Sequence, residues 1–306
     1  MIKYIYMTRR DNAHMNTRDL EYFNKLVELK NFSQVAKFFA VTQPTITFSL
    51  KRLEDYFSIQ LINRDQSHGQ LSVTEAGNQL FERSKIITGQ LELARTELAR
   101  VRQHKLKLGM PPIIGSYYFP KIASELVKQN LMDVVDTKEG GSDDLFYQMR
   151  SGDLDIALLG STGPKIAEDM DITQIMSVPF TIVVDKQHPL AQLPEVAFAD
   201  LKKYSFASLA EGFVIVQAFD WFVKNAQMQP EVLYRTSDVA MLKKMIKERV
   251  GIGFLTEIAV TPEDDLVTIP LTDKNQPEFI ISVFNRKNQV LENDLLKLKN
   301  VLVQTK

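Results

Sequence analysis

The residues with chemistry to offer in this chain are polar and unreactive. Gln43, Thr45, Thr47, Lys51 and Arg52 lie within one short stretch, with Ser33 and Thr42 just ahead of them. Amides, hydroxyls and cations of this kind form hydrogen bonds and ion pairs; they do not break covalent bonds. The chain has no cysteine, which removes disulfides, thiolate metal sites and thiol nucleophiles together. Its four histidines, His14, His68, His104 and His188, stand far apart, and none pairs with another at metal-ligand spacing. No nucleophile is placed beside a base. The expectation is therefore no catalysis, no metal and no cofactor. A helix face of carboxamides, hydroxyls and cations suits the base edges and phosphates of a DNA major groove.

Those groups need a scaffold, and residues 32–54, FSQVAKFFAVTQPTITFSLKRLE, read as two short helices with a tight turn. Ser33 is the expected N-cap of the first, which turns Val35, Ala36 and Phe39 inward. Ala40 and Val41 form the turn. Thr42 is the expected cap of the second helix, and Pro44 sits in its first turn, where a missing N–H costs nothing. Ile46, Leu50, Leu53 and Phe57 form one apolar stripe, leaving Gln43, Thr45, Thr47, Ser49, Lys51 and Arg52 on the other side. Any amphipathic helix pair shows this pattern, so the flanks carry weight. Thr17 is expected to cap a helix over 18–29 whose Leu20, Phe23, Leu26 and Val27 complete a trihelical core. Beyond Phe57, two short strand-like segments flank a Gly-containing polar loop, Asp65–Gly69, as in a wing. Arg64 at its base has the position of a phosphate clamp.

From residue 75 a long helix follows. Gly77, Leu80, Ser84, Ile87, Leu91, Ala94, Leu98 and Val101 alternate steps of three and four, a heptad seam that calls for a partner helix. A second copy of the same helix would supply it, and two-fold pairing suits a reader of DNA half-sites. Near residue 104 the pattern changes to short apolar strands alternating with helices, which means α/β layers around a mainly parallel sheet. Strands are expected at 106–109, 133–137, 155–159, 180–184, 204–208, 231–235, 252–255 and 279–284. Helices are expected at 117–129, 143–150, 214–226, 238–249 and 289–303. No nucleotide-binding glycine fingerprint is present. Trp221 is expected in a core or a subunit interface.

The 306 residues suffice for two or three domains. The formal net charge of −1 hides an asymmetry: of 37 Lys and Arg and 38 Asp and Glu, residues 1–105 hold 16 and 11, leaving 21 and 27 for the rest. The basic part contains the helix pair, consistent with a polyanion partner. No apolar run approaches the roughly 20 residues of a membrane span. The opening MIKYIYMTRRDNAH does not read as a secretory signal, and a cysteine-free chain fits a reducing cytoplasm.

From Met15 onward the sequence resembles the LysR-type transcriptional regulators. The carrying residues are Leu20-Glu21-Tyr22-Phe23, Phe32-Ser33, Ala36, Val41-Thr42-Gln43-Pro44-Thr45, Lys51-Arg52-Leu53-Glu54, Leu61, Arg64 and Leu71-Ser72-Val73-Thr74-Glu75-Ala76-Gly77. Weaker likeness continues through Leu106–Gly109, Ser151–Leu158, His188-Pro189-Leu190-Ala191, Asp200-Leu201 and Val250–Leu255. The resemblance implies a winged helix-turn-helix, a long dimerisation helix and a two-lobed α/β effector domain like a periplasmic binding protein. On that basis residues 1–14 are an N-terminal extension, 15–74 the DNA-binding domain, 75–104 the linker helix and 105–306 the effector domain. Lobe one is expected at 106–180 and 265–306, and lobe two at 181–264. Ser33, Thr42, Gln43, Pro44, Thr45, Thr47, Lys51, Arg52 and Arg64 would then contact DNA. Ser116, Thr137 and Ser208 match positions where that family places effector-contacting hydroxyls, and Lys138 would add a cation for an acid. Ser142 and Ser237 are read as helix caps.

The implied partners are promoter DNA, a small-molecule effector, further copies of the chain as a dimer or tetramer, and RNA polymerase. Within the family, Asn63–His68 and Gln43–Thr47 resemble the branch controlling malolactic fermentation in lactic acid bacteria, which implies an organic acid such as L-malate. A regulator of another pathway, a solute-binding protein, an enzyme on the same α/β fold and an architectural DNA-binding protein are the rival readings. Two positions depart from the family. Phe48 stands where many members carry arginine, and its ring either meets a thymine methyl or packs inward. Thr256 stands where proline is common.

Overall fold

The structure, a computed structural model, describes residues 14–64, 71–101, 105–287, 289 and 293–305. The chain divides into two units, residues 1–96 and 97–306. In the first, α1 (Thr17–Leu29), α2 (Phe32–Phe38) and α3 (Gln43–Phe57) are followed by the antiparallel pair β1 (Ile62–Arg64) and β2 (Leu71–Val73) and by α4 (Glu75–Val101). This is the expected winged helix-turn-helix and long helix. Leu20, Phe23, Leu26, Val35, Ile46, Leu50 and Leu53 close the core between the three helices. Phe57 does not join them: α3 stops there, Ser58 turns left-handed at φ 52°, and Leu61 and Ile62 of the wing fill the space.

The caps sit one or two residues earlier than expected. Asn16, not Thr17, caps α1, accepting from the Asp19 N–H at 3.0 Å while Asp19 accepts from the Asn16 N–H. Asn31, not Ser33, caps α2. Thr42 has the N-cap position of α3, but its hydroxyl pairs with that of Thr45 at 2.9 Å rather than with the backbone. Pro44 lies in the first turn as expected.

A buried carboxylate fixes α3 against α1. Asp19 is fully buried and accepts from Ser49 Oγ at 2.6 Å, from Arg52 Nε at 3.1 Å and from Arg52 Nη2. Burial by itself would raise the Asp19 carboxyl; the hydrogen bonds from Arg52, Ser49 and Asn16 outweigh it and hold the group below the usual carboxylate range. Ser49, expected on the outer polar face, is therefore an inner residue.

The wing is tied to the rest through Glu54, whose Oε1 accepts from the Leu61 N–H at 2.9 Å. Thr74 then starts α4, accepting from the Gly77 N–H at 2.9 Å while donating to Gln60 O. Gly77 has no room for a side chain: a Cβ there would lie 2.2 Å from Leu61 O. Along α4, Leu80 packs on the trihelical core and the buried Ser84 donates to Asn24 of α1. Ile86, Ile87, Leu91 and Leu98 are exposed.

The second unit contains β3 (Leu106–Met110), α5 (Pro112–Lys128), β4 (Val135–Glu139), α6 (Ser142–Arg150), β5 (Ile156–Ser161) and β6 (Met170–Val178). It continues with β7 (Phe180–Asp185), β8 (Phe206–Leu209), α7 (Val214–Asn225), β9 (Val232–Thr236), α8 (Val239–Lys247), β10 (Ile252–Thr256), β11 (Leu266–Pro270), β12 (Phe279–Arg286) and α9 (Asn293–Gln304). Two five-stranded sheets result, ordered β4-β3-β5-β12-β6 and β11-β7-β10-β8-β9. Each is half parallel and half antiparallel, not mainly parallel. The chain crosses between them at Pro179 and again over residues 271–278. Because β11 pairs with β7, residues 266–270 belong to lobe two rather than lobe one. The strands β6 and β11 were not expected from sequence. Helix α5 begins at Pro112, five residues early, because Pro111 at the N-cap and Pro112 at N1 are both tolerated there.

Two substitutions test this architecture. Asp19→Asn should lower the stability of residues 1–96 by about 1–3 kcal/mol, because it weakens a buried, hydrogen-bonded ion pair whose arginine is half-exposed. The depressed Asp19 acidity stabilises the fold above pH ~4 and is lost as the pH falls through the folded value. Thermal melts from pH 7 to pH 3 should therefore show the wild type losing more stability on acidification than Asp19→Asn; equal acid slopes would refute this. Gly77→Ala should cost about 2–3 kcal/mol, since Leu61 O is backbone and cannot yield cheaply; an unchanged melting temperature would contradict the close approach.

Candidate nucleic-acid interface and effector cleft

The outer ridge of α3 follows from helix geometry. Pro44, Phe48, Lys51 and Asp55 repeat the spacing of the buried stripe two residues out of phase, about 200° around the helix. All four are exposed. Thr47 flanks this ridge on one side, and Thr45 and Arg52 on the other, each half-buried. Gln43 is exposed at the first turn, and its Oε1 accepts from Ser33 Oγ of α2 at 3.2 Å. That bond joins the two helices of the motif and leaves the Gln43 amide N–H groups free to donate outward. Thr42 and Ser33 are exposed beside it.

Arg52 has a structural role that the sequence did not show. Two of its donors are committed to Asp19, so its guanidinium holds α3 in place, while its side chain stays 42% exposed. The bonds to the Asp19 carboxylate raise its already high pKa, outweighing burial, which by itself would lower it. Lys51 is an exposed cation of this face, with no ion-pair partner among the described residues. Arg64 lies in β1 at the expected wing base, but its side chain and the loop 65–70, with His68, lie outside the described residues.

In the second unit, helix N-termini from both lobes meet across the junction. Gln217 Nε2 of α7 donates to Asp143 Oδ2 of α6 at 3.2 Å. At Gly141, the N-cap of α6, a Cβ would lie 2.8 Å from the carbonyl oxygen of Gly212, whose φ of +94° itself favours glycine. Free N–H groups at such termini favour carboxylates. Ser142 is buried in the first turn of α6, its Oγ accepting from the Gly160 N–H at 3.1 Å across to β5. A cavity of about 170 Å³ adjoins it, walled by Phe146, Leu159 and Phe284 with Lys165 at its side.

The four expected effector residues fall differently. Ser116 is exposed within α5, not in a loop. Thr137 and Lys138 are both exposed on the edge strand β4 and point to opposite faces of the sheet. Lys138 lies beside Gly109 and Glu139 beside Met110, so Glu139 is the charged group turned toward the start of α5, near Gly115. Ser208 is buried inside β8 and donates to Leu209 O at 3.2 Å. The cap of α8 is Asp238, accepting from Ala240 and Met241, not Ser237. Trp221 is half-buried, edge-on to Phe222.

Sequence reasoning missed Thr181. This hydroxyl is buried just after the first crossing and has no hydrogen-bond partner among the described residues. A lone threonine in the apolar run FTIVV was the available signal. Thr256 donates to Pro179 O at 3.2 Å, so the hydroxyl that replaces proline there secures the crossing. Among the described residues no group of acidic or histidine side chains is placed to hold a metal ion, and no helix is long and apolar enough to cross a membrane.

Comparison with known proteins agrees with both units. Residues 17–78 match the model of the bacterial regulatory helix-turn-helix protein, lysR family, and residues 99–305 match the LysR substrate binding domain. The malolactic fermentation system transcriptional activator of Lactococcus lactis is 30% identical over 292 residues, 94% of this chain and 99% of that protein. Among solved structures, a Corynebacterium glutamicum OxyR C206 mutant superposes with a TM-score of 0.55 at 19% identity, covering 95% of this chain and 93% of that one. The effector binding domain of QuiR in complex with shikimate gives 0.57 at 14% identity, over 65% of this chain and 95% of that one. The helix-turn-helix with its wing, the long helix and the two-lobed domain behind it are those of a regulator rather than an enzyme, and this chain belongs to the LysR family of transcriptional regulators.

Proposed function

We propose that this regulator responds to a small organic acid, with L-malate the first candidate, and controls genes of malate decarboxylation. The observation carrying that reading is the similarity to the Lactococcus lactis activator along nearly the full length of both chains. The chemistry of the cleft supports an acid: two helix N-termini converge there and Lys165 lies by the adjoining cavity, while the buried Thr181 hydroxyl has no partner among the described residues. Ser116, Thr137, Lys138 and Ser208 remain the candidate contacts from the sequence, with Thr181 added to them. Binding an acid between the lobes would change their relative setting and couple the cleft to the DNA-binding unit.

On the DNA side, Gln43, Thr45 and Thr47 read base edges, while Ser33, Thr42, Pro44, Lys51 and Arg64 lie along the backbone or the groove wall. Arg52 supports the reading helix from behind. Two copies pair through residues 75–104, where Ile87, Leu91 and Leu98 offer an exposed apolar seam with Ile86 beside it. Such dimers assemble further into tetramers and act on transcription through RNA polymerase.

A gel-shift and footprint on DNA upstream of its own and neighbouring genes, at several salt concentrations and with or without L-malate, tests the proposal. Specific binding should weaken steeply with salt. Malate should alter the footprint, while succinate and shikimate should not. A footprint changed by another acid but not by malate would replace the effector and the pathway. No specific binding at any salt concentration would refute the assignment of 33–64 as the reading surface.

A further inference from the structure

We propose that Phe48 reads the C5 methyl of a thymine in the major groove and sets base preference at that position of the half-site. The proposal rests on the reading of α3 as the groove helix. From sequence alone the ring had two destinations, and the structure removes one: Phe48 is 62% exposed and belongs to no hydrophobic cluster of the fold. It lies on the ridge opposite the buried stripe, between Pro44 one turn before and Lys51 one turn after. It also has no aromatic or cationic partner among the described residues. Phe38, equally exposed on α2, is different, because the Lys25 ammonium sits 4.5 Å from its ring and Phe39 packs edge-on.

A bare phenyl ring at the centre of a groove-facing ridge has limited options. It offers no strong donor or acceptor, so it can satisfy neither a phosphate nor the polar edges of guanine, adenine or cytosine. The thymine C5 methyl is the apolar group that the major groove presents, and contact with it removes both surfaces from water. Pro44 and the methyl group of Thr47 widen the apolar patch around the ring. Lys51, a turn further on, adds a cation for the adjacent phosphate or guanine. The ridge thus sets an apolar contact next to a cationic one, whereas an arginine at 48 would ask for guanine.

The test uses the full-length protein and an operator selected by that protein from a random duplex library. Each thymine of the selected site is replaced in turn by deoxyuridine, which deletes the methyl and keeps the base pair. Wild type should lose roughly three- to tenfold in affinity at one thymine per half-site, the scale of one buried methyl. Phe48→Ala should not distinguish thymine from uracil there. In a repeated selection, F48R should shift that position toward guanine and supplies a second readout should the alanine protein fold poorly. Methyl deletion without effect on wild type at every thymine would overturn the proposal, as would equal discrimination by Phe48→Ala. Enrichment of no sequence would overturn it together with the DNA-binding role of α3, an outcome distinct from a selected site that ignores the methyl.

Discussion

The setting of α3 in the helix-turn-helix depends on one buried carboxylate. Asp19 sits in the first turn of α1, where it accepts from the Asn16 N–H and answers the cap bond that Asn16 makes to it. The same carboxylate reaches α3 through Ser49 and Arg52, 30 and 33 residues away. An isolated carboxylate in that core would be too costly to keep ionised. Four converging donors make it tolerable and fix both the rotation and the height of α3. Rotation is what matters for a reading helix, since it decides that Phe48 and Lys51 face outward while Ile46 and Leu50 face in. Arg52, expected to meet DNA, is thus also a brace that orients the outer face of α3.

The second unit solves a different problem, that of joining two sheets so that a cleft can form between them. Both crossings enter or leave an antiparallel strand next to the parallel half of a sheet: β6 leads into β7, and β11 returns to β12. The junction is apolar on the inside, with Phe180 stacked on Phe254 at 5.3 Å and edge-on to Phe279 at 6.0 Å. Gly160 gives Phe279 its room, since a Cβ there would come within 2.6 Å of the ring. The polar groups near Gly160 are the first turn of α6, with Ser142 bonded to the Gly160 N–H and Asp143 bonded to Gln217 of α7. A centre of that kind separates affinity from orientation, with apolar area excluding water and few polar groups fixing the pose.

Much of this was legible in the sequence, and what was not has identifiable causes. The helix-turn-helix, the wing strands and α4 follow from local periodicity and turn chemistry, which act within a few residues. The caps slipped because neighbouring polar residues compete, as at Asn31 and Ser33 or Ser237 and Asp238, and the extended backbone conformation selects one. The strands β6 and β11 mix polar and apolar residues because each is a sheet edge and half-exposed, so no clean alternation survives. The role of Asp19 was invisible because its partners lie a helix and a turn away. Ser116 lies in a helix rather than a loop for a local reason, since the segment is loop-like only until two prolines are recognised as a helix start.

Helix α4 shows how one seam serves two ends. Its first heptads are consumed within the chain, Leu80 on the trihelical core and Ser84 and Thr88 hydrogen-bonded to Asn24. Its later positions, Ile87, Leu91 and Leu98, keep the same spacing and are exposed among the described residues. An apolar row left exposed on a helix of 27 residues is unfavourable in a monomer and favourable in a pair. At the far end, Glu97 accepts from Arg286, a buried arginine that also donates to Met149 O and Leu154 O at the end of β12. β12 is buried along its whole length and runs from the second crossing to that arginine. An unbroken buried strand thus joins the second crossing to an ion pair with Glu97 on α4.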